Sequence, residues 1–357
     1  MTGSYHRYAL LVLVPIVAVT LLTVALALWL QPERNDLTRL GGYPEQDFGW
    51  NAPQLAYRPP LVPVADPAQP YDIVVIGDSF SMSKAIPRNA PRVDDGFWTD
   101  VFAQRTGLIP GAFHRDDVPA STYLASNVFK TAPPRLLIYE IVERELDTID
   151  TTGTRCPAAP SAPGPTFALR PAPIDRAPVA RPRDTAARFD TAQIDTAFNV
   201  LIKQATRALT GRDWTDVLQA PLARPDLVSN RRSDTLLFYK GDLRKNKLGP
   251  AEQTVLSCYF RTLQTAVEAN GRTAFLLMVV PDKSTAYAAH ASIPPMPNMV
   301  ERLARDPLLN TMRLDVVLKD AIAQGRQDVY LPSDTHWGWA GKQITADALI
   351  ERLQRRP

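Results

Sequence analysis

The sequence predicts an open α/β sheet covered by helices on both faces, following a single membrane-spanning N-terminal helix. Three observations carry this prediction. Short apolar runs that end in turn residues alternate with helical patterns, as in domains built on a mostly parallel sheet. The chain opens on an uncharged apolar run, from Tyr8 to Leu30. The alternation is broken once, by a stretch in which proline recurs every few positions.

The elements follow in order. At about 1.5 Å per residue, Tyr8–Leu30 reaches roughly 34 Å as a helix, enough for a bilayer's hydrocarbon core. His6 and Arg7 precede it, so residues 1–7 are expected in the cytoplasm, 8–30 in the membrane and the rest outside. Ala25-Leu26-Ala27 resembles a cleavage site, but the run continues through Leu30, which favours an uncleaved anchor over a signal peptide. Either way the body of the protein is exported. Residues 31–70 are polar and proline-rich and read as a tether. Residues 71–357 read as one domain. Its strands are expected at 71–76, 135–142, 273–280 and, shorter, 328–331. Its helices are expected at 98–105, 121–129, 251–270, 311–324 and 339–353. Residues 157–183 cannot form regular structure because of their prolines. With the amphipathic helix expected at 191–209, they make 151–235 an insertion lying over the sheet or its ligand side.

Composition narrows the function. The 357 residues carry 40 basic and 37 acidic side chains, a formal charge of +3 with no basic run, which argues against a nucleic-acid partner. The 33 prolines are in excess and point to linkers and long loops. Two cysteines, Cys156 and Cys258, rule out a disulfide scaffold and a cysteine-rich zinc site. Export permits a bond between them and equally permits free thiols. No metal cluster, P-loop or dinucleotide fingerprint is present, so no cofactor is expected.

The chemistry is expected at two strand ends. Gly77-Asp78-Ser79-Phe80-Ser81 directly follows the first strand, where open α/β sheets bind ligands. A serine hydroxyl there becomes a nucleophile only beside an imidazole that a carboxylate orients. Of the four histidines, only His336, in Ser333-Asp334-Thr335-His336-Trp337, follows an expected strand with an acid two residues away. That spacing, in an extended loop, points both side chains the same way. Ser79 alone could equally cap a helix, and an isolated Asp-x-His could be a turn. Their joint occurrence, in the order Ser, Asp, His, selects Ser79, Asp334 and His336 as catalytic candidates. Softer candidates for contacting substrate are Arg144, Lys283, Trp337 and Tyr139. Each also has a plainer reading: an ion pair for Arg144, a solvated loop for Lys283, and packing for the two aromatics.

These residues resemble a known family. The GDSFS segment, Tyr139-Glu140-Ile141-Val142-Glu143-Arg144, Leu236-Leu237-Phe238-Tyr239, Pro281-Asp282-Lys283-Ser284 with Tyr287, and Asp334-Thr335-His336-Trp337 together resemble the SGNH/GDSL-like domain of alginate O-acetyltransferases, over about residues 71–350. The resemblance implies a three-layer α/β/α SGNH hydrolase-like fold in the periplasm. It also implies acetyl transfer to sugar hydroxyls by a Ser-His-Asp triad, with a separate multi-pass membrane acyltransferase supplying the acetyl group. Two features depart from the family. In the alginate enzymes the aspartate-histidine motif precedes the serine motif, whereas here it follows. The separate glycine and asparagine blocks of SGNH enzymes have no match, and Asn127 reads as structural. Oxyanion donors are therefore expected from the backbone of Ser79 and Phe80 at a helix start, plus a third group not identified.

The resulting expectation is an inner-membrane, single-pass, periplasmic O-acetyltransferase acting on an exported polysaccharide through an acetyl-serine. A periplasmic carbohydrate acetylesterase, or deacetylase, is the alternative with the same machinery. A non-catalytic polysaccharide-binding subunit of an export complex is the alternative without it.

Overall fold

The structure is a computed structural model that describes residues 2–29, 35–49, 51–82, 96–157, 165–180 and 191–354. Helix α1, Thr2–Trp29, contains the apolar run up to Trp29; Leu30 lies outside the described residues. Its segment Tyr5–Leu26 is long and apolar enough to cross a membrane, a property that a signal sequence shares.

Five parallel strands form the central sheet: β1 (Ile73–Gly77), β2 (Gly111–His114), β3 (Leu136–Val142), β6 (Ala274–Val280) and β7 (Thr311–Met312), in the spatial order β2-β1-β3-β6-β7. The three long strands are the apolar runs that the sequence marks. They are buried on both faces, which is why they read as continuous rather than alternating. Alternate residues feed two cores. Ile73, Val75, Ile138 and Leu276 face one side, against α3 (Trp98–Thr106), α6 (Leu314–Ala323) and α7 (Trp339–Gln354). Val74, Ile76, Tyr139 and Leu277 face the other, against α5 (Pro250–Glu268) through Phe260 and Val267. The sheet is thus covered by helices on both faces.

Several elements differ from expectation. Residues 328–331 are not a strand of the sheet. Asp328 has a positive φ of 52°, and the segment makes only a bridge between Tyr330 and Trp337. A left-handed residue breaks the extended conformation that a ladder needs. The two edge strands were not expected from sequence: β2 is four residues long, and β7 is a two-residue strand in front of a helix expected to begin at 311. Instead of one helix over 121–129 there are two short ones, Ala120–Ala125 and Asn127–Thr131, with Ser126 accepting the Phe129 N–H as the cap of the second. The insertion carries helix α4 (Thr191–Thr210). It leads into an antiparallel hairpin, β4 (Val217–Pro221) with β5 (Thr235–Tyr239), also not expected. Of the proline-rich stretch, residues 165–180 contribute Phe167 and Leu169 to the first core, and Val179–Ala180 pairs with Leu55–Ala56.

The expected tether is also corrected. Helix α2 (Asp36–Gly41) and the residues after it bury Leu37, Tyr43 and Phe48 against Val217 and Leu237 of the hairpin, while Tyr57 and Leu61 join the first core. Lys203 of α4 donates to the carbonyls of Arg39 and Leu40, 3.2 and 3.0 Å away. Scattered apolar residues among prolines carry no period, so this packing leaves no sequence pattern. Cys156 and Cys258 are joined as a disulfide across a sequence separation of 102.

Candidate active site

The site begins at the carboxyl end of β1. A Cβ on Gly77 would lie 2.7 Å from Glu140 Oε2 and 3.0 Å from Ser81 Oγ, so only glycine lets the chain turn there. Asp78 then pins the turn. Its Oδ1 accepts the Phe80 N–H at 3.0 Å and its Oδ2 the Val142 N–H at 2.9 Å, tying the end of β1 to the end of β3. Ser81 Oγ donates to Glu140 Oε2 and accepts from Trp98 Nε1 at 3.0 Å. Glu140 is fully buried, and burial and the neighbouring Asp78 raise its pKa well above its ordinary value. With its neighbours fixed, Ser79 is left exposed at the tip.

Ser79 Oγ lies 2.7 Å from His336 Nε2, and His336 Nδ1 lies 2.6 Å from Asp334 Oδ1. A proton on Nδ1 satisfies both contacts, with the imidazole donating to the carboxylate and accepting from the hydroxyl. Asp334 Oδ1 also accepts the His336 backbone N–H at 2.9 Å, which closes the Asp-x-His turn. Burial works to raise the Asp334 pKa, but His336 and the hydrogen bonds around the carboxylate prevail and hold it at about 2. The Phe80 ring stands 4.9 Å from the imidazole and 4.8 Å from Trp337, forming an apolar wall beside His336. The three residues selected from sequence are therefore brought together from the two ends of the domain.

The softer candidates fare differently. Trp337 is 1 % exposed and packs edge-on against Phe80 and Tyr330, so no sugar can stack on it. Tyr139 points to the opposite face of the sheet from Glu140 and packs near Phe260, at 6.0 Å. There it lines an open cleft of about 830 Å³ with Arg115, Asp150 and Tyr259, and none of Ser79, Asp334 and His336 lines that cleft. Burial and the Tyr259 hydroxyl push the Tyr139 phenol up to about 12. Lys283 is neither solvated nor turned to a ligand. It is 1 % exposed, and Nζ donates to the carbonyls of Leu331, Pro332 and Asp334 at 2.7, 2.8 and 3.2 Å.

Arg144 belongs to a buried charge cluster. It pairs with Asp282 at 3.2 Å and approaches Asp242 at 4.0 Å, while Lys245 bridges Glu143 and Asp282 at 2.9 and 3.0 Å. Burial and Asp242 push Asp282 up to about 6 despite those cations. His114 and His290 lie away from this arrangement: His114 Nδ1 accepts the Asp116 N–H at 3.3 Å, and the His290 carbonyl accepts the Ala223 N–H. The oxyanion expectation is also corrected. The Phe80 N–H is already given to Asp78, so of the two expected donors only the Ser79 N–H makes no hydrogen bond among the described residues. The expected helix start after Ser79 falls partly within residues 83–95, outside the described ones.

Asp36, at the start of α2, was not singled out from sequence. Its backbone N–H donates to Asp334 Oδ2 at 3.0 Å, and its Oδ1 accepts the Thr335 N–H at 2.8 Å. Its Oδ2 accepts the Thr335 hydroxyl and stands 3.7 Å from His336 Nδ1. Asp36, Asp334 and His336 offer ligand atoms within 4.8 Å of one another, close enough to hold a cation. Nδ1, Asp334 Oδ1 and both Asp36 oxygens are already engaged in hydrogen bonds or the ion pair, and a cation on Nδ1 would displace Asp334 from the imidazole.

Comparison with known proteins adds one positive finding. Residues 233–357 match the family model described as the SGNH hydrolase-like domain of the acetyltransferase AlgX. The matched span holds Lys283, Asp334 and His336 and ends short of Ser79 on the N-terminal side. No curated protein and no solved structure matched the chain. From its mostly parallel sheet and this match, the chain carries an SGNH-like α/β domain whose C-terminal part, residues 233–357, resembles that of the acetyltransferase AlgX.

Proposed function

We propose that the chain is an inner-membrane-anchored, periplasm-facing O-acetyltransferase that transfers acetyl groups to hydroxyls of an exported polysaccharide. The observation that carries this reading is the unbroken line from Ser79 Oγ through His336 to Asp334, with contacts of 2.7 and 2.6 Å, in a chain matched to the AlgX domain. His336 Nε2 takes the Ser79 proton as Oγ attacks the acetyl carbonyl, and Asp334 stabilises the imidazolium. The tetrahedral oxyanion forms beside the Ser79 N–H. It collapses to acetyl-Ser79 as the leaving group takes the proton from His336. A sugar hydroxyl then gives its proton to His336 and attacks the acetyl-serine, releasing the acetylated glycan and the free Ser79 hydroxyl.

The acetyl donor in this reading is a separate multi-pass membrane acyltransferase, which α1 would hold nearby. Replacing the sugar hydroxyl by water turns the same steps into an esterase. Because Ser79 is exposed, the difference rests on the acceptor. The test supplies the full-length protein with an aryl acetate and an oligosaccharide acceptor. Wild type is expected to give acetyl-Ser79 by mass spectrometry and acetylated sugar, and Ser79→Ala neither. Free acetate alone, even with excess acceptor, would identify an esterase. Undiminished turnover by Ser79→Ala would remove the nucleophile assignment.

A further inference from the structure

We propose that Asp36 is a second, positioning carboxylate of the Ser79–His336–Asp334 group, supplied by the chain just beyond the apolar N-terminal helix. Its backbone fixes Asp334, and its side chain adds negative charge behind the imidazole. The inference rests on the proposed role of those three residues. The geometry is reciprocal. Asp36 gives its backbone N–H to Asp334 Oδ2, the oxygen not engaged by His336, at 3.0 Å. The 334–336 loop returns the Thr335 N–H and hydroxyl to the two Asp36 oxygens. Leu37, next in the chain, donates its N–H to the Ser333 carbonyl at 3.1 Å. The loop carrying acid and base is thus held from behind by residues 36 and 37, which lie far from it in sequence.

The side chain does more than tie a loop. Asp334 accepts the hydrogen bond from Nδ1 at 2.6 Å, and Asp36 Oδ2 faces the same nitrogen at 3.7 Å, too far for a second good hydrogen bond but near enough to act through space. The charged groups that face it are Asp334 and His336 on the loop, Arg144 after β3 and Lys283 after β6. Glu45, further along its own segment, is turned to Asn35 and Thr38. Burial and the neighbouring Asp334 push Asp36 up to about 6, against the pull of His336 and the Thr335 hydrogen bonds. Its charge therefore changes within the range where an imidazole titrates. Below that value the imidazole faces one carboxylate; above it, two. The second charge makes His336 a stronger base and steadies its protonated form during acyl transfer.

Asp36→Asn keeps the backbone N–H and a side chain able to bond Thr335 but removes the charge. In the full-length protein, with an aryl acetate, kcat is expected to fall about tenfold. KM should be unchanged, and the acid limb of the pH–rate profile should move about one pH unit lower. A purely structural tie would lower activity without moving the limb. That result, or an unchanged rate, would overturn the proposal. A second measurement needs no substitution at Asp36. In the Ser79→Ala protein, the His336 ring ¹⁵N shifts between pH 4 and 9 should bend twice, once for Asp36 and once for the imidazole; a single bend overturns it. Turnover surviving in Ser79→Ala would instead fail the functional reading and leave the titration to judge Asp36 by itself.

Discussion

Among single residues, Lys283 gives its three ammonium hydrogens to the carbonyls of Leu331, Pro332 and Asp334, the segment that leads into and includes the proposed acid. Burial lowers its pKa from 10.5 to about 8, although Asp36 and Asp334 favour its charge. Between those values the unfolded chain keeps a proton that the folded chain has lost, so stability from this group rises as pH goes from about 8 to 10.5. Lys283→Met leaves three carbonyls without their donor and is expected to cost roughly 2–4 kcal/mol. Denaturant titrations at pH 7 and pH 10 should show that loss, with the rise toward high pH absent from the variant. Aryl acetate turnover should fall as well, because Asp334 loses its support. Equal stability at pH 7 would show that the carbonyls are satisfied without the ammonium.

At the level of elements, the turn after β1 depends on buried side chains around it. Asp78 closes it onto Val142, Ser81 lies between Glu140 and Trp98, and Gly77 leaves the room that Glu140 occupies. Gly77→Ala puts a methyl group 2.7 Å from a buried carboxyl oxygen that cannot easily retreat, and should cost roughly 1–3 kcal/mol. It should also tilt Ser79 away from His336. Activity is therefore expected to fall more than the melting temperature does, and a variant stable but fully active would refute the close approach. Loops make up much of the neighbourhood: His336 stands beside a bridge between Tyr330 and Trp337 rather than at the end of a ladder strand. Its precision comes from the lysine and aspartate hydrogen bonds and from the Phe80–Trp337 wall.

For the whole molecule, the Cys156–Cys258 bond joins the start of the insertion to α5, closing a loop that contains the proline-rich stretch, α4 and the hairpin. Closing so long a loop stabilises mainly by restricting the unfolded chain. The double variant Cys156→Ser/Cys258→Ser is expected to lose about 2–5 kcal/mol. Thermal unfolding with and without reductant should show the same drop in wild type and none in the variant; a wild type indifferent to reductant would argue that the crosslink adds nothing. A bond of this kind suits an exported domain, as the proposed localisation requires. Residues 37–48 also pack onto this body, through Leu37, Tyr43 and Phe48.

Local pattern was enough to locate α1, the three long strands β1, β3 and β6, and the helices α3, α5 and α7, because a buried strand or helix face repeats its apolar residues within a few positions. It was also enough to pick Ser79, Asp334 and His336 as side chains that meet in the fold, since a hydroxyl, an imidazole and a carboxylate in short motifs are recognisable types. Distances between them were not legible, nor were the edge strands β2 and β7, whose few residues leave no period. The fates of Lys283, Trp337 and Tyr139 depended on which way each side chain faces once the sheet and its loops have packed. Asp36 was hidden for the same reason. Its partners lie at the far end of the chain, and a single aspartate among polar and proline residues acquires meaning only when folding brings residue 36 against residues 334–336.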